Sequence, residues 1–117
     1  MIKGIGVDII EISRIKQAVE KYGEKFLKKI YTAKELAYCS NVKSWRIPEL
    51  AARFAAKEAY AKAIGTGIRN INWLDIEIEN DKLGKPLIIA KGRRSAKVQL
   101  SLSHSRNYAV AMVSLEA

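Results

Sequence analysis

Residues 3 to 10 alternate: Ile5, Val7 and Ile9 fall on one face, Gly4, Gly6 and Asp8 on the other. A period of two predicts a strand, and two glycines on the Asp8 face leave room for a group to approach. From residue 11 the period changes. Ile12, Ile15, Val19, Tyr22, Phe26 and Ile30 recur three and four apart, which predicts a helical seam with Gly23 as a candidate break. Thr32 and Glu35 have the spacing of a capping box and open a further helix over 33–40; both are read as structural. A polar connection through Ser44 follows. Pro48 and Gly65 then bracket a long helix from about 48 to 64, a proline suiting its start and a glycine its C-terminal cap.

The second half is strand-like. Leu74, Ile76 and Ile78 alternate with Asp75, Glu77 and Glu79, giving one buried and one wet face. Asn80, Asp81 and Gly84 supply a turn, and Pro86 to Ile89 return. Val98, Leu100, Leu102 and His104 share one face of another strand, and Ser105, Arg106 and Asn107 turn it into a last strand from Tyr108 to Leu115. Helices mostly in the first half and strands mostly in the second predict an α+β fold, with a largely antiparallel sheet packed against the long helix. A chain of 117 residues has the core for one domain, 1–117.

The long helix breaks the usual pattern of a wet and a dry face. At about 100° per residue, Arg53 and Lys57 fall among Leu50, Tyr60 and Ile64, while Glu58 and Lys62 fall beside Phe54 and the small residues Ala51, Ala55 and Ala59. Charges in apolar surroundings cost free energy unless they are partnered. Glu58 one turn before Lys62 is either an ordinary surface pair worth a few tenths of a kcal/mol or part of a site whose small neighbours admit a ligand.

The formal net charge of +9 directs attention to anionic partners: nucleic acid, phosphorylated small molecules or acidic proteins. No run of about twenty apolar residues is available to cross a membrane, and the first residues read as a strand rather than as a signal peptide. Cys39 is the lone cysteine. It excludes an internal disulfide and a cysteine-based zinc site, is read as a small filler residue, and fits a cytoplasmic protein.

Asp8 and Glu58, from separate elements, form a candidate magnesium pair, since Mg²⁺ takes few protein ligands and completes its shell with water and substrate phosphate. Gly65-Thr66-Gly67 caps the long helix and could also turn backbone amides toward phosphate. His104 is the lone histidine; it has a structural reading, and an anion-binding one drawn from Ser103 and Arg106 beside it. Between 14 and 34 lie Arg14, Lys16, Lys21, Lys25, Lys28, Lys29 and Lys34. If the helix is continuous, Arg14, Lys21, Lys25 and Lys28 lie near one another, off the apolar seam. Such a run is a solvated face or a docking surface for an acidic partner.

Taken in order, these pieces resemble the holo-acyl-carrier-protein synthases, the short type of 4′-phosphopantetheinyl transferase. The resemblance runs from Gly4-Ile5-Gly6-Val7-Asp8-Ile9-Ile10-Glu11 to Arg14 and Ile15, then through Phe26 and Thr32-Ala33-Lys34-Glu35-Leu36. Its most specific part is Ala52-Arg53-Phe54-Ala55-Ala56-Lys57-Glu58-Ala59 with Lys62-Ala63-Ile64-Gly65-Thr66-Gly67; Gly84-Lys85-Pro86 and Ser101-Leu102-Ser103-His104 complete it. It implies the 4′-phosphopantetheinyl transferase fold. It also implies Mg²⁺-dependent transfer of phosphopantetheine from coenzyme A to a serine of apo acyl carrier protein, releasing adenosine 3′,5′-bisphosphate, in support of fatty acid biosynthesis. Asp8 and Glu58 would hold the metal. Lys62 would meet the phosphates, with Gly65 and Thr66 near them. Gly84, Lys85 and Pro86 would take the adenosine, and Ser103 and His104 the 3′-phosphate. Arg14, Lys21, Lys25 and Phe26 would dock the carrier protein. The resemblance further implies a homotrimer with active sites between protomers. The rival class is a basic nucleic-acid-binding module, which gives Asp8 and Glu58 no work; a third reading is a non-catalytic adaptor for acidic proteins.

Overall fold

The computed structural model describes residues 1–67 and 71–117. Strand β1 (Ile2–Glu11) leads into helices α1 (Ile12–Tyr22), α2 (Glu24–Ile30), α3 (Ala33–Cys39) and α4 (Ile47–Ile64). A short 3-10 turn (Trp73–Asp75) precedes β2 (Ile76–Asn80), β3 (Pro86–Ala90), β4 (Arg93–Arg94), β5 (Val98–His104) and β6 (Tyr108–Glu116). Among the described residues the strands form two three-stranded sheets, ordered β1-β6-β5 and β2-β3-β4, with every neighbour antiparallel. The expected α+β architecture is what the chain adopts, and no described helix is long and apolar enough to cross a membrane.

Helix α4 lies between two apolar clusters. One joins its first turns to Ile12, Ile15, Leu27, Ile30 and Tyr31; the other joins its later turns to Ile76, Ile78, Ile88, Leu100 and Val113. Its sheet-facing side is alanine: Ala55, Ala56 and Ala59 are fully buried, against Ala109 and Ala111 of β6. The glycines of β1 continue this small-on-small contact. A Cβ on Gly6 would lie 1.9 Å from the Ala59 carbonyl oxygen, and one on Gly4 2.2 Å from that of Ala63. The room predicted on the Asp8 face at these two positions is therefore filled by the backbone of α4, not by a ligand. On the opposite face of β1, Ile5, Val7 and Ile9 are about 60% exposed, joined by half-exposed Met112 and Tyr108 of β6.

The predicted helical seam is interrupted. Gly23 sits at φ 57°, ψ −134°, ends α1 and starts α2 in a new direction. Tyr22 consequently points to solvent, and Leu27 takes the expected place in the core. Leu74 is also exposed, because it falls in the 3-10 turn before the alternation of β2 begins. Cys39 is buried without exposure, and burial pushes its thiol up to about 11, which suits a filler residue and not a nucleophile.

The embedded cations of α4 find partners for all their donors but one, since among the described residues Arg53 Nε is buried without a hydrogen bond. Arg53 donates to Glu49 at 3.2 Å and Asn80 at 2.7 Å, and its guanidinium lies over the Tyr38 ring at 4.2 Å. Lys57, fully buried, donates to Glu35 Oε1 at 2.6 Å, the Ile30 carbonyl at 2.6 Å and the Trp73 carbonyl at 3.1 Å. An ammonium has three donors, so none is left over. Glu35 makes the expected capping box with Thr32, but it also accepts from Ile78 N at 2.8 Å. It is thus the buried counter-charge of Lys57 as well as a cap. Burial pulls the ammonium's pKa below its ordinary value, opposed mainly by Glu35.

Breaking this pair should be costly. Lys57→Met leaves a buried carboxylate unpaired and should destabilise by about 3–5 kcal/mol. Glu35→Gln in that background should recover part of the loss by removing the stranded charge. Urea denaturation of the two single variants and the double variant measures the coupling; strictly additive losses would contradict it.

Candidate active site

Where β1 passes α4, Asp8 comes to lie beside Lys62. The Lys62 ammonium is 3.0 Å from Asp8 Oδ1 and donates to the Val7 carbonyl at 2.9 Å. Glu58 lies one helical turn before Lys62, and the three side chains line one open cleft of about 470 Å³ with Ile9, Ile10, Arg14, Ile15, Ala18, Phe26 and Phe54. The sequence places these residues on four elements. Period two puts Asp8 on the face of β1 that looks toward α4, and the i, i+4 spacing puts Phe54, Glu58 and Lys62 on one stripe of the helix. Helices α1 and α2 supply the opposite wall with Arg14 and Phe26.

The electrostatics are those of a crowded carboxylate pair. Burial raises the Glu58 pKa above its ordinary value; the Asp8 charge raises it further, and Lys62 partly offsets both. No ion pair within 4.0 Å joins Lys62 to Glu58 among the described residues, so the ordinary surface-pair reading fails: Lys62 reaches to β1 instead. Two carboxylates from separate elements, at the edge of an open cleft, fit a divalent cation that needs few protein ligands. Among the described residues no cluster of three or more His, Cys, Asp or Glu forms a fuller cage.

The remaining candidates lie elsewhere on the chain. Gly65 caps α4 in the left-handed conformation, φ 87°. Thr66 lines a second depression with Tyr60, Ile64 and Lys91. Gly84, at φ 88°, forms the β2–β3 turn, while Lys85 and Pro86 line a third depression with Arg94 and Gln99. Ser103 and His104, adjacent in β5, point to opposite faces of their sheet. His104 pairs across to Ala109, as Ile10 does from the other side of β6, so it lies two strands away from β1. Its Nε2 is 4.0 Å from Glu49 Oε1 near the start of α4. Among the described residues of one chain, the cleft of Asp8 and Glu58 takes in none of the coenzyme A candidates of the second half.

The basic run is also divided. Arg14 and Phe26 line the Asp8 cleft; Lys21 and Lys25 do not. The expected grouping of Arg14 and Lys21 with Lys25 and Lys28 required a continuous helix; Gly23 ends α1, leaving Arg14 and Lys21 on α1 and Lys25 and Lys28 on α2. Lys21 lies 5.2 Å from the centre of the Tyr22 ring. Sequence reasoning did not single out Phe54 and Ala18 as cleft walls, or Glu49 as the neighbour of His104. Phe54, four residues before Glu58, carried a readable helical signal; Glu49 and His104 meet only through tertiary packing.

Residues 4–113 match the model of the 4′-phosphopantetheinyl transferase superfamily. The chain belongs to that family. It is 52% identical, over 96% of both chains, to a holo-[acyl-carrier-protein] synthase of Chloroherpeton thalassium. A Bacillus anthracis holo-(acyl-carrier-protein) synthase solved in complex with CoA (3′,5′-ADP) is 46% identical, with a TM-score of 0.84 over 100% of this chain and 98% of that one. The Helicobacter pylori holo-[acyl-carrier-protein] synthase solved with coenzyme A is 30% identical, with a TM-score of 0.83 over 96% and 99% of the two chains. The resemblance read from the motifs is thereby borne out, and the phosphopantetheinyl transferase fold with it.

Glu58 offers a direct check of the cleft's electrostatics. Its raised pKa means that the folded chain holds this proton to higher pH than the unfolded chain. Its contribution to stability is present below the unfolded value and is lost as pH rises through the folded one. Asp8→Asn removes one of the raising charges, so the Glu58 carboxyl should titrate at lower pH by carbon-13 NMR. An unchanged or higher value would contradict the arrangement.

Proposed function

We propose that this phosphopantetheinyl transferase moves the 4′-phosphopantetheine arm of coenzyme A to a serine of apo acyl carrier protein, releasing adenosine 3′,5′-bisphosphate and supplying fatty acid biosynthesis. The observation that carries the reading is the convergence of Asp8, Glu58 and Lys62 in one cleft walled by Arg14 and Phe26. Relatives matching nearly the full length bear the synthase name, and the Bacillus anthracis and Helicobacter pylori structures are among the solved ones that hold coenzyme A or its nucleotide part. A nucleic-acid module would leave the Asp8–Glu58 pair without work.

In this reading Asp8 and Glu58 hold Mg²⁺. When bound, the ion neutralises charge on the pyrophosphate. Lys62, one turn beyond Glu58, presents its ammonium to the phosphates and stabilises charge that grows as the serine oxygen bonds to the β-phosphorus and the bond to the nucleotide breaks. Phosphoryl transfer depends mainly on such positioning and electrostatics. Arg14 and Phe26 offer a cation and an aromatic ring to the carrier protein at the cleft wall, while Lys21 and Lys25 act at longer range by attracting an acidic partner. Gly65 and Thr66 border the phosphates. Gly84, Lys85 and Pro86 take the adenosine, and the end of β5 that carries Ser103 and His104 takes its 3′-phosphate, the two side chains approaching from opposite faces of the sheet.

Because these last groups lie apart from Asp8 in one chain, we infer that the working unit is a homotrimer whose neighbouring protomers each contribute part of a site. The exposed Ile5, Val7, Ile9, Tyr108 and Met112 face supports assembly, since a contiguous apolar patch of this kind marks an interface. Trimeric order comes from the family resemblance. A cytoplasmic location fits a transferase that works on coenzyme A and a carrier protein.

Incubation with apo carrier protein, coenzyme A and Mg²⁺ should add the mass of one phosphopantetheine arm to the carrier. Asp8→Ala and Glu58→Ala should each lower the rate by about a hundredfold or more, with circular dichroism unchanged. Near wild-type rates in both variants would overturn the site. Mixing inactive Glu58→Ala and His104→Ala proteins after dissociation and reassociation should restore part of the activity. Proven mixing without recovery would remove the shared site and leave the transferase reading in place.

A further inference from the structure

Lys62 has its natural helical partner in Glu58, four residues earlier, yet among the described residues its ion pair is with Asp8 on another element. Its ammonium sits 3.0 Å from Asp8 Oδ1 and is fixed by a second bond, 2.9 Å, to the backbone carbonyl of Val7. Asp8 is mostly covered, its side chain 17% exposed, while that of Lys62 is 51% exposed. The ammonium thus sits at the mouth of the carboxylate pair, on an oxygen a metal would use. Strand β1 is an edge of its sheet and supplies the anchoring carbonyl.

We propose that Lys62 is the internal counter-ion of Asp8 in this cleft, and that a divalent cation would have to displace it from Asp8 before its ammonium is free for substrate phosphate. The proposal rests on the reading of Asp8 and Glu58 as metal ligands and adds an order of events to it. Paired with Asp8, Lys62 offsets part of the carboxylate charge of the cleft. A bound divalent cation would supply that neutralisation instead, and the lysine, repelled by it, would be free to turn toward incoming anions. The half-exposed, unbranched side chain can make this movement without disturbing the core, because the helix beneath it is held separately by Lys57 and Glu35.

The test is binding of Mn²⁺, followed by electron paramagnetic resonance in the absence of coenzyme A. Lys62→Met should bind Mn²⁺ about fivefold more tightly, the factor expected for loss of a partly exposed ion pair. Lys62→Arg, which keeps charge and reach, should stay near wild type. Arg14→Met removes a cation from the same cleft that, among the described residues, has no ion pair with Asp8, and should change affinity less than about twofold, as a screened charge would. Equal tightening in Lys62→Met and Arg14→Met would overturn the proposal in favour of a general field effect. Unchanged or weaker binding in Lys62→Met would also overturn it, while leaving the metal site intact. If Asp8→Asn and Glu58→Gln bind Mn²⁺ as wild type does, the metal reading itself is wrong and the displacement falls with it.

Discussion

At Gly6, the carbonyl of Ala59 comes so near strand β1 that a Cβ would lie 1.9 Å from its oxygen. No side chain larger than hydrogen can stand there while α4 keeps its place. The same holds at Gly4, and the alanines of α4 and β6 extend the contact along the sheet. This closeness brings an acid of the strand and an ammonium of the helix within hydrogen-bond distance. A larger residue at Gly6 would push α4 outward, and the first thing lost would be the meeting of Asp8 with Lys62. The shape of the cleft follows from steric permission at two backbone positions.

A second constraint fixes how α4 is turned. The buried Lys57 ammonium binds the end of α2, the start of α3 and the turn before β2, and its partner Glu35 reaches the backbone of β2. A buried ion pair is a poor source of net stability compared with apolar packing. Its value here is directional: four elements have to meet at one point for every donor to be satisfied. Lys57 directly precedes Glu58, so the rotation that buries one presents the other to the cleft. Ile30 closes the helix that carries Phe26, so the same point fixes the opposite wall.

The two faces of the β1-β6-β5 sheet have different consequences. The inner face takes small residues and lets α4 approach. The outer face carries Ile5, Val7, Ile9 and Met112 in the open, which is costly for an isolated chain and useful for an assembled one. Groups that could recognise a nucleotide lie at the β2–β3 turn and at the end of β5, away from Asp8. In the proposed reading, metal chemistry and nucleotide recognition are separated within one chain and rejoined through its copies.

Much of this was legible in the chain. Alternation around Asp8, the capping box at Thr32 and the proline-to-glycine span of α4 each rest on local geometry, and local geometry is written in neighbouring residues. The ordered motifs carried the family. The sequence also signalled that Arg53 and Lys57 needed partners, because charge on an apolar helical face is unfavourable alone. It could not say which partners: Glu35, Asn80 and two backbone carbonyls come from far along the chain, and only folding brings them together. Nor could it tell that the glycines of β1 make room for a helix rather than a ligand, or that Gly23 would break the seam and put Lys25 and Lys28 on a separate helix from Arg14 and Lys21. Least legible was the choice made by Lys62. Spacing offered it Glu58, but the packing of α4 on β1 gave it Asp8, since side-chain pairing across elements depends on a distance that no local pattern contains.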